Sequence, residues 1–278
     1  MRDLSRDNRF LSINTATLRR ERSLAEVVPA LAAAGIPGIG PWREQIQSAG
    51  VKAAARLIGD HGLAVSGVSR AGVFTSHGRT GLQQVLDDNR RAVDEAAGIG
   101  ARCLVLIGGG LTPGSRDIAD ARALFAEGLA ELLPYARSAS LPLAIEPLHP
   151  MYAADRACIN TLAQANDLCE ALGPGVGVVV DVYHTWWDPN LEREIARAGA
   201  RRILAFHLSD WLVPTTDLLV DRGMMGDGVI DLKRIRGWVE AAGFEGLCEV
   251  EIFSQRNWWQ RPMEEVLATC VERYRTVC

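Results

Sequence analysis

The chain has 278 residues, 48% hydrophobic and 23% charged, a balance that excludes a disordered polymer and suffices for one sizeable core. Its formal net charge is -4, from 30 Lys and Arg against 34 Asp and Glu, with no basic stretch or acidic tail, so nothing in it asks for nucleic acid. Residues 1–10 carry no apolar h-region, and no run approaches the roughly 18 apolar residues of a membrane span; the expected compartment is the cytoplasm, with no membrane partner.

Short apolar runs alternate with longer amphipathic ones. Strands are predicted at 10–14, 36–39, 64–68, 103–107, 143–146, 176–181, 203–207 and 247–251, mostly without the period-2 polarity of a half-exposed sheet. Helices are predicted at 24–34, 47–61, 82–98, 118–138, 160–172, 191–198, 232–242 and 263–277. Ser23 and Glu26 have the spacing of a capping box, and Gly35, Gly62, Gly98, Gly173, Gly199 and Gly243 stand where helices end. A doubly wound sheet would bring a glycine-rich loop after its first strand, but here that strand runs into Asn14-Thr15-Ala16-Thr17-Leu18. Gly108-Gly109-Gly110 lacks the Lys-Ser/Thr continuation of a phosphate loop. The expected fold is therefore α/β, a (β/α)8 TIM barrel forming one domain over residues 1–278. The six cysteines share no CxxC spacing and are expected to be reduced thiols.

The strand carboxyl ends of such a barrel converge on one face. The last four predicted strands end in Glu146, Asp181, His207 and Glu251, each after an apolar run. Ionised groups so placed are costly to bury unless paired or bound to metal. Three carboxylates and an imidazole suit one hard or borderline divalent ion, Mn, Mg or Co, with Zn also admitted. Beyond the strand ends lie His149, His184 and Asp210, each three residues past a predicted ligand, and Arg222 in a glycine-rich loop. These are the candidate substrate-binding groups, Asp210 doubling as a carboxylate that fixes the His207 ring. Of the tryptophans near strand ends, Trp42 and Trp211 are candidate walls of a sugar pocket. Trp258 and Trp259 are read as exposed and as a candidate interface between copies.

The segments Glu146-Pro147-Leu148-His149, Asp181-Val182-Tyr183-His184, His207-Leu208-Ser209-Asp210, Arg222 with Gly226-Asp227-Gly228, and Glu249-Val250-Glu251 resemble the xylose-isomerase-like barrel superfamily, in particular its ketose 3-epimerase branch. The resemblance implies that Glu146, Asp181, His207 and Glu251 ligate the metal. It also implies that Glu146 and Glu251 are the paired acid/base groups and that His184 and Arg222 hold substrate oxygens. His149 replaces an asparagine common in that branch, and Tyr152 stands where ketose 3-epimerases often carry another glutamate. The superfamily's zinc-dependent apurinic/apyrimidinic endonucleases are a poorer match, since Gly223 and Gly108-Gly109 replace histidine ligands.

The expected chemistry is proton transfer beside the carbonyl of a ketose or related polyol, through an enediolate whose charge the metal offsets. A dehydratase of a keto-cyclitol or dehydroshikimate-like acid shares the opening step, and a non-catalytic sugar-binding barrel is the alternative from another class.

Overall fold

A computed structural model describes residues 2–278. The strands, in chain order, are β1 (Leu11–Asn14), β2 (Gly38–Gly40), β3 (Ala64–Val65), β4 (Val68–Gly72), β5 (Leu104–Ile107), β6 (Leu143–Ile145), β7 (Val176–Asp181), β8 (Ile203–Leu208), β9 (Asp210–Trp211), β10 (Arg222–Gly223) and β11 (Cys248–Val250). All but β9 and β10 form one parallel sheet in the order β3-β2-β1-β11-β8-β7-β6-β5-β4.

The two ends of that order, β3 and β4, are halves of one strand interrupted at Ser66 and Gly67. A parallel bridge between Trp42 and Ser69 joins the second half to the chain just past β2. The Arg102 N–H donates to the Val65 carbonyl at 3.2 Å, tying the first half to the approach of β5. The sheet thus closes into the eight-staved barrel that the alternation of elements predicts. The third strand reaches Gly72, four residues beyond its predicted end.

The helices are α1 (Leu24–Ala33), α2 (Arg43–Ala49), α3 (Val51–Asp60), α4 (Leu82–Gly98), α5 (Ile118–Ser138), α6 (Leu162–Leu172), the single turn α7 (Val182–Thr185), α8 (Leu191–Arg202), α9 (Leu232–Ala241) and α10 (Met263–Thr276). Glu26 accepts the Ser23 N–H at 2.9 Å, so α1 starts in the expected box. The helix predicted over 47–61 is two helices. Gly50 sits between them at φ +82°, a left-handed conformation that ends one and starts the next. α8 runs past Ala198 to Arg202, across a break at Gly199.

Inside the barrel, Cys103, Val105, Ala144, Val179 and Ala205 form an apolar plug separate from the main core between sheet and helices. Val179 and Ala205 stand two residues before Asp181 and His207, so strand alternation puts them on the same inward face one layer lower. The apolar layer floors the polar one. All six cysteines are buried and free, and burial pushes the Cys103 thiol up to about 12.

Candidate metal centre and cleft

Register builds the site. Asp181 on β7 pairs with His207 on β8, and His207 pairs with Glu249 on β11, so three in-register positions face the barrel interior. Glu146 lies one residue beyond β6 and Glu251 one beyond β11. The predicted strand-end positions are therefore shifted slightly: His207 lies inside its strand, and only Asp181 is a terminal residue. Ligand atoms of Glu146, Asp181, His207 and Glu251 all come within 4.8 Å of one another, and all four residues are buried.

One carboxylate oxygen shows why the cluster is incomplete as protein alone. Asp181 Oδ1 accepts N–H bonds from Tyr183 at 2.7 Å and His184 at 3.3 Å, capping α7. Its Oδ2 is buried with no hydrogen-bond partner, a costly state for a carboxylate oxygen. Burial opposes ionisation of Asp181, but His184, His207 and Arg222 outweigh it and hold the carboxyl well below the usual range. Three carboxylates around so small a volume repel one another, and once His207 is neutral, as a ligand must be, Arg222 alone offsets one charge. A divalent cation would bring the cluster of three carboxylates and one guanidinium to neutrality. Asp181 Oδ2, the two glutamates and His207 Nδ1 thus fit a single hard or borderline divalent ion.

The remaining electrostatics follow from burial and neighbours. Burial pushes the Glu251 carboxyl up to about 7, Arg222 pulling against it and Glu146 adding to it. For His207 burial favours the neutral ring, yet Glu249, Asp181 and Glu146 together hold its pKa well above the ordinary value. Burial takes His184 down to about 3, so its ring is neutral.

His184 Nδ1 lies 3.3 Å from the His149 N–H, and its Nε2 lies 3.2 Å from Arg222 Nη2. A neutral imidazole carries one N–H and cannot accept at both nitrogens. An acceptor oxygen placed between His184 and Arg222 would relieve that conflict. Arg222 is held by Glu251 Oε2 at 3.0 Å and by the faces of Tyr183 and Phe253, 4.4 and 4.7 Å from its guanidinium carbon.

Glu146, Glu251, His184, Arg222 and Trp42 all line one cleft of about 420 Å³ at the barrel mouth. Trp42 is anchored through its indole N–H to Asn14 Oδ1 at 2.7 Å. Three expected binding residues do not line it. Asp210 does not brace the His207 ring: its oxygens accept the N–H groups of Trp211, Gly226, Gly228 and Ile230 at 2.8–3.0 Å and fold the loop after β10. The His149 ring stacks on Trp211 at 5.0 Å, and Trp211 also packs on Tyr183, so both are spent on packing. Trp258 is buried and Trp259 donates to the Ala16 carbonyl at 2.8 Å while lining the cleft, which removes the exposed interface read from that pair.

The sequence reading missed Glu249, which it absorbed into an apolar run. Buried in β11, Glu249 accepts from Asn14 Nδ2 at 2.7 Å and from the Ser66 hydroxyl, and its Oε1 lies 3.7 Å from His207 Nε2. Its signal was present: Glu249 and Glu251 are two apart on a strand and share a face. Arg20, Arg70 and Arg156, also in the cleft wall, were missed too.

A closed barrel with an acidic and imidazole cluster at its carboxyl-end mouth defines a class, and sequence comparison agrees. The chain belongs to the xylose isomerase-like TIM barrel family, whose model matches residues 28–270. Among solved structures it is similar to protein SMc04130 from Sinorhizobium meliloti 1021, with 59% identity over 98% of this chain and 99% of that one and a TM-score of 0.95. IolI, determined with a bound zinc atom, shares the fold at 19% identity, TM-score 0.82, over 96% and 97% of the two chains. So does the 3-keto-D-glucoside 4-epimerase YcjR from E. coli, at 16% identity, TM-score 0.76, over 96% and 99%. No curated protein sequence gives a significant match. Among the described residues no helix is long and apolar enough to cross a membrane.

Proposed function

We propose that the protein is a divalent-metal-dependent isomerase or epimerase that moves a proton at the carbon beside the carbonyl of a ketose or related polyol. The observation that carries this reading is the approach of Glu146 and Glu251, two carboxylates from separate staves, within 4.8 Å around a shared ligand cluster in the cleft. The zinc of IolI and the epimerase activity of YcjR, on the same fold, are in keeping with it.

A bound dication supplies Lewis acidity toward a carbonyl oxygen and its neighbouring hydroxyl. The chain's own residues do the rest. One glutamate accepts the proton from carbon, and the C–H electron pair passes into the enediolate. The other glutamate returns a proton to the opposite face for epimerisation; for isomerisation the proton returns to the adjacent carbon while the hydroxyl proton passes between the two enediolate oxygens. His184 and Arg222 orient a substrate oxygen, and Trp42 walls the cleft. The test is hydrogen exchange: a panel of ketoses, aldoses and keto-cyclitols incubated in deuterated water with Mn, Mg or Co. One deuterium gained per recovered molecule is the expected result. No exchange in any member, with no metal retained by the protein, overturns the proposal.

A further inference from the structure

The cleft does not end at the ligand cluster. It continues into a second hollow of about 410 Å³, with Arg70, Ile107 and Arg156 belonging to both. Thr75, Ser76, Gly109 and Gly110 line the hollow, and a side chain on Gly109 would run into Thr75 Oγ1. The chain therefore keeps an open, polar annex beside the reaction site.

Its cations lack partners. Arg20 and Arg70 lie 4.6 and 5.9 Å from the Trp42 ring centroid, and neither makes a hydrogen bond or ion pair among the described residues. Arg156 has a long contact of 3.9 Å to its exposed neighbour Asp155, which is worth little, and lies 5.6 Å from the Tyr152 ring centroid. Several other arginines are matched, Arg43 with Asp88 and Glu95, Arg79 with Asp120 and Glu127, Arg197 with Asp167 and Glu170, whereas Arg6, Arg102, Arg116 and Arg201 are also unpaired but stand on the open surface, away from the cleft lining. Partial desolvation, together with the like charges of Arg156 and Arg20, pulls Arg70 below its ordinary value, with Glu44 and Glu146 pulling the other way. Arg20 and Arg70 are exposed to the cleft and Arg156 is half-buried, so their guanidiniums stand accessible to an anion that enters it.

A neutral polyol does not account for this wall. Guanidinium groups suit carboxylate and phosphate oxygens, which they bind through paired N–H donors. The opposite end of the cleft carries the ligand cluster, which a dication would bring to neutrality, so the excess positive charge lies at the arginine end.

We infer that the substrate carries an oxyanion, carboxylate or phosphate, remote from its reacting carbon, and that Arg70 and Arg156, with Arg20 beside them, receive it. The assignment of the reacting end rests on the proposed proton-transfer function; the anion site itself does not.

The test is calorimetric titration of the Mn-supplemented full chain with a matched series: D-fructose, its 6-carboxylate and its 6-phosphate. At least one anionic member should bind tenfold or more tightly than fructose, and the tighter of the two names the group. That advantage should shrink as salt rises in the native protein, fall about tenfold in Arg70→Met or Arg156→Met, and partly return in Arg70→Lys. Equal binding of neutral and anionic members, or a preference that survives the double Met variant, overturns the inference. Deuterium exchange into fructose without any anion preference leaves the proposed function standing and this inference fallen. Anion preference without exchange does the reverse.

Discussion

His207 Nε2 faces Glu249 Oε1 at 3.7 Å, across the ring from the Nδ1 that meets Glu146 at 3.2 Å. The imidazole thus stands between the ligand cluster and a carboxylate in register with it on β11, itself fixed by Asn14 and Ser66. A carboxylate behind a ligating histidine sets its tautomer and raises its basicity. Glu249→Gln should keep the fold and the Asn14 bond yet weaken metal affinity by about 10- to 100-fold. Competition against a metal-binding dye measures this; unchanged affinity in a folded variant would remove Glu249 from any role at the metal. Gly40→Ala should act in the same direction, because a Cβ there collides with the Glu249 carboxylate.

Metal binding should release protons. In the metal-free cluster Glu251 is pushed up to about 7 and His207 is held well above its ordinary value. Both must lose a proton to act as ligands, whereas Asp181, held low, is already ionised. Below about pH 7 two protons leave per ion, so apparent affinity should climb roughly a hundredfold per pH unit. Above it only His207 contributes, and the slope falls to about tenfold per unit. Titrations in buffers of differing ionisation heat count these protons. An affinity flat from pH 6 to 8 contradicts the assigned ligands.

What could be read in advance was what strand and helix periodicity encode. Unbroken apolar runs such as Val176 to Val180 pointed to strands buried on both faces, and polar residues ending them pointed to the mouth. Glu249 was obscured because Cys248 and Val250, its neighbours on the opposite face, made the stretch look apolar. Asp210 was misplaced because spacing along the chain says nothing of direction: its side chain turns to the loop amides, away from His207. The arginine wall left no local pattern, since Arg20, Arg70 and Arg156 come from three distant segments that meet only when the barrel closes.

Glu146→Gln and Glu251→Gln should each lower kcat at least about a hundredfold, the lower range of what a positioned acid or base contributes. Saturating metal is required in the assay, because each change also removes an anionic ligand. Circular dichroism and thermal melting establish that the fold persists. Full turnover of the true substrate by either variant removes that residue from proton transfer.

Asp210→Asn tests the loop that carries Arg222. The buried carboxylate accepts four backbone N–H groups, two on each oxygen. An amide keeps one oxygen and turns the other acceptor into a donor facing N–H donors, leaving two buried amides unsatisfied. Charge-assisted bonds contribute about 1.5–3 kcal/mol each and an unsatisfied buried donor costs about 1–3 kcal/mol, with incomplete additivity. A loss of about 2–4 kcal/mol is therefore expected from these combined effects. Because β10 begins with Arg222 and pairs with β9 at Trp211, loosening this loop should also raise KM more than it lowers kcat. Denaturant melts and steady-state kinetics on the same preparation measure both. Native stability in the variant would show that the loop is held by its other contacts and that Asp210 is dispensable to it.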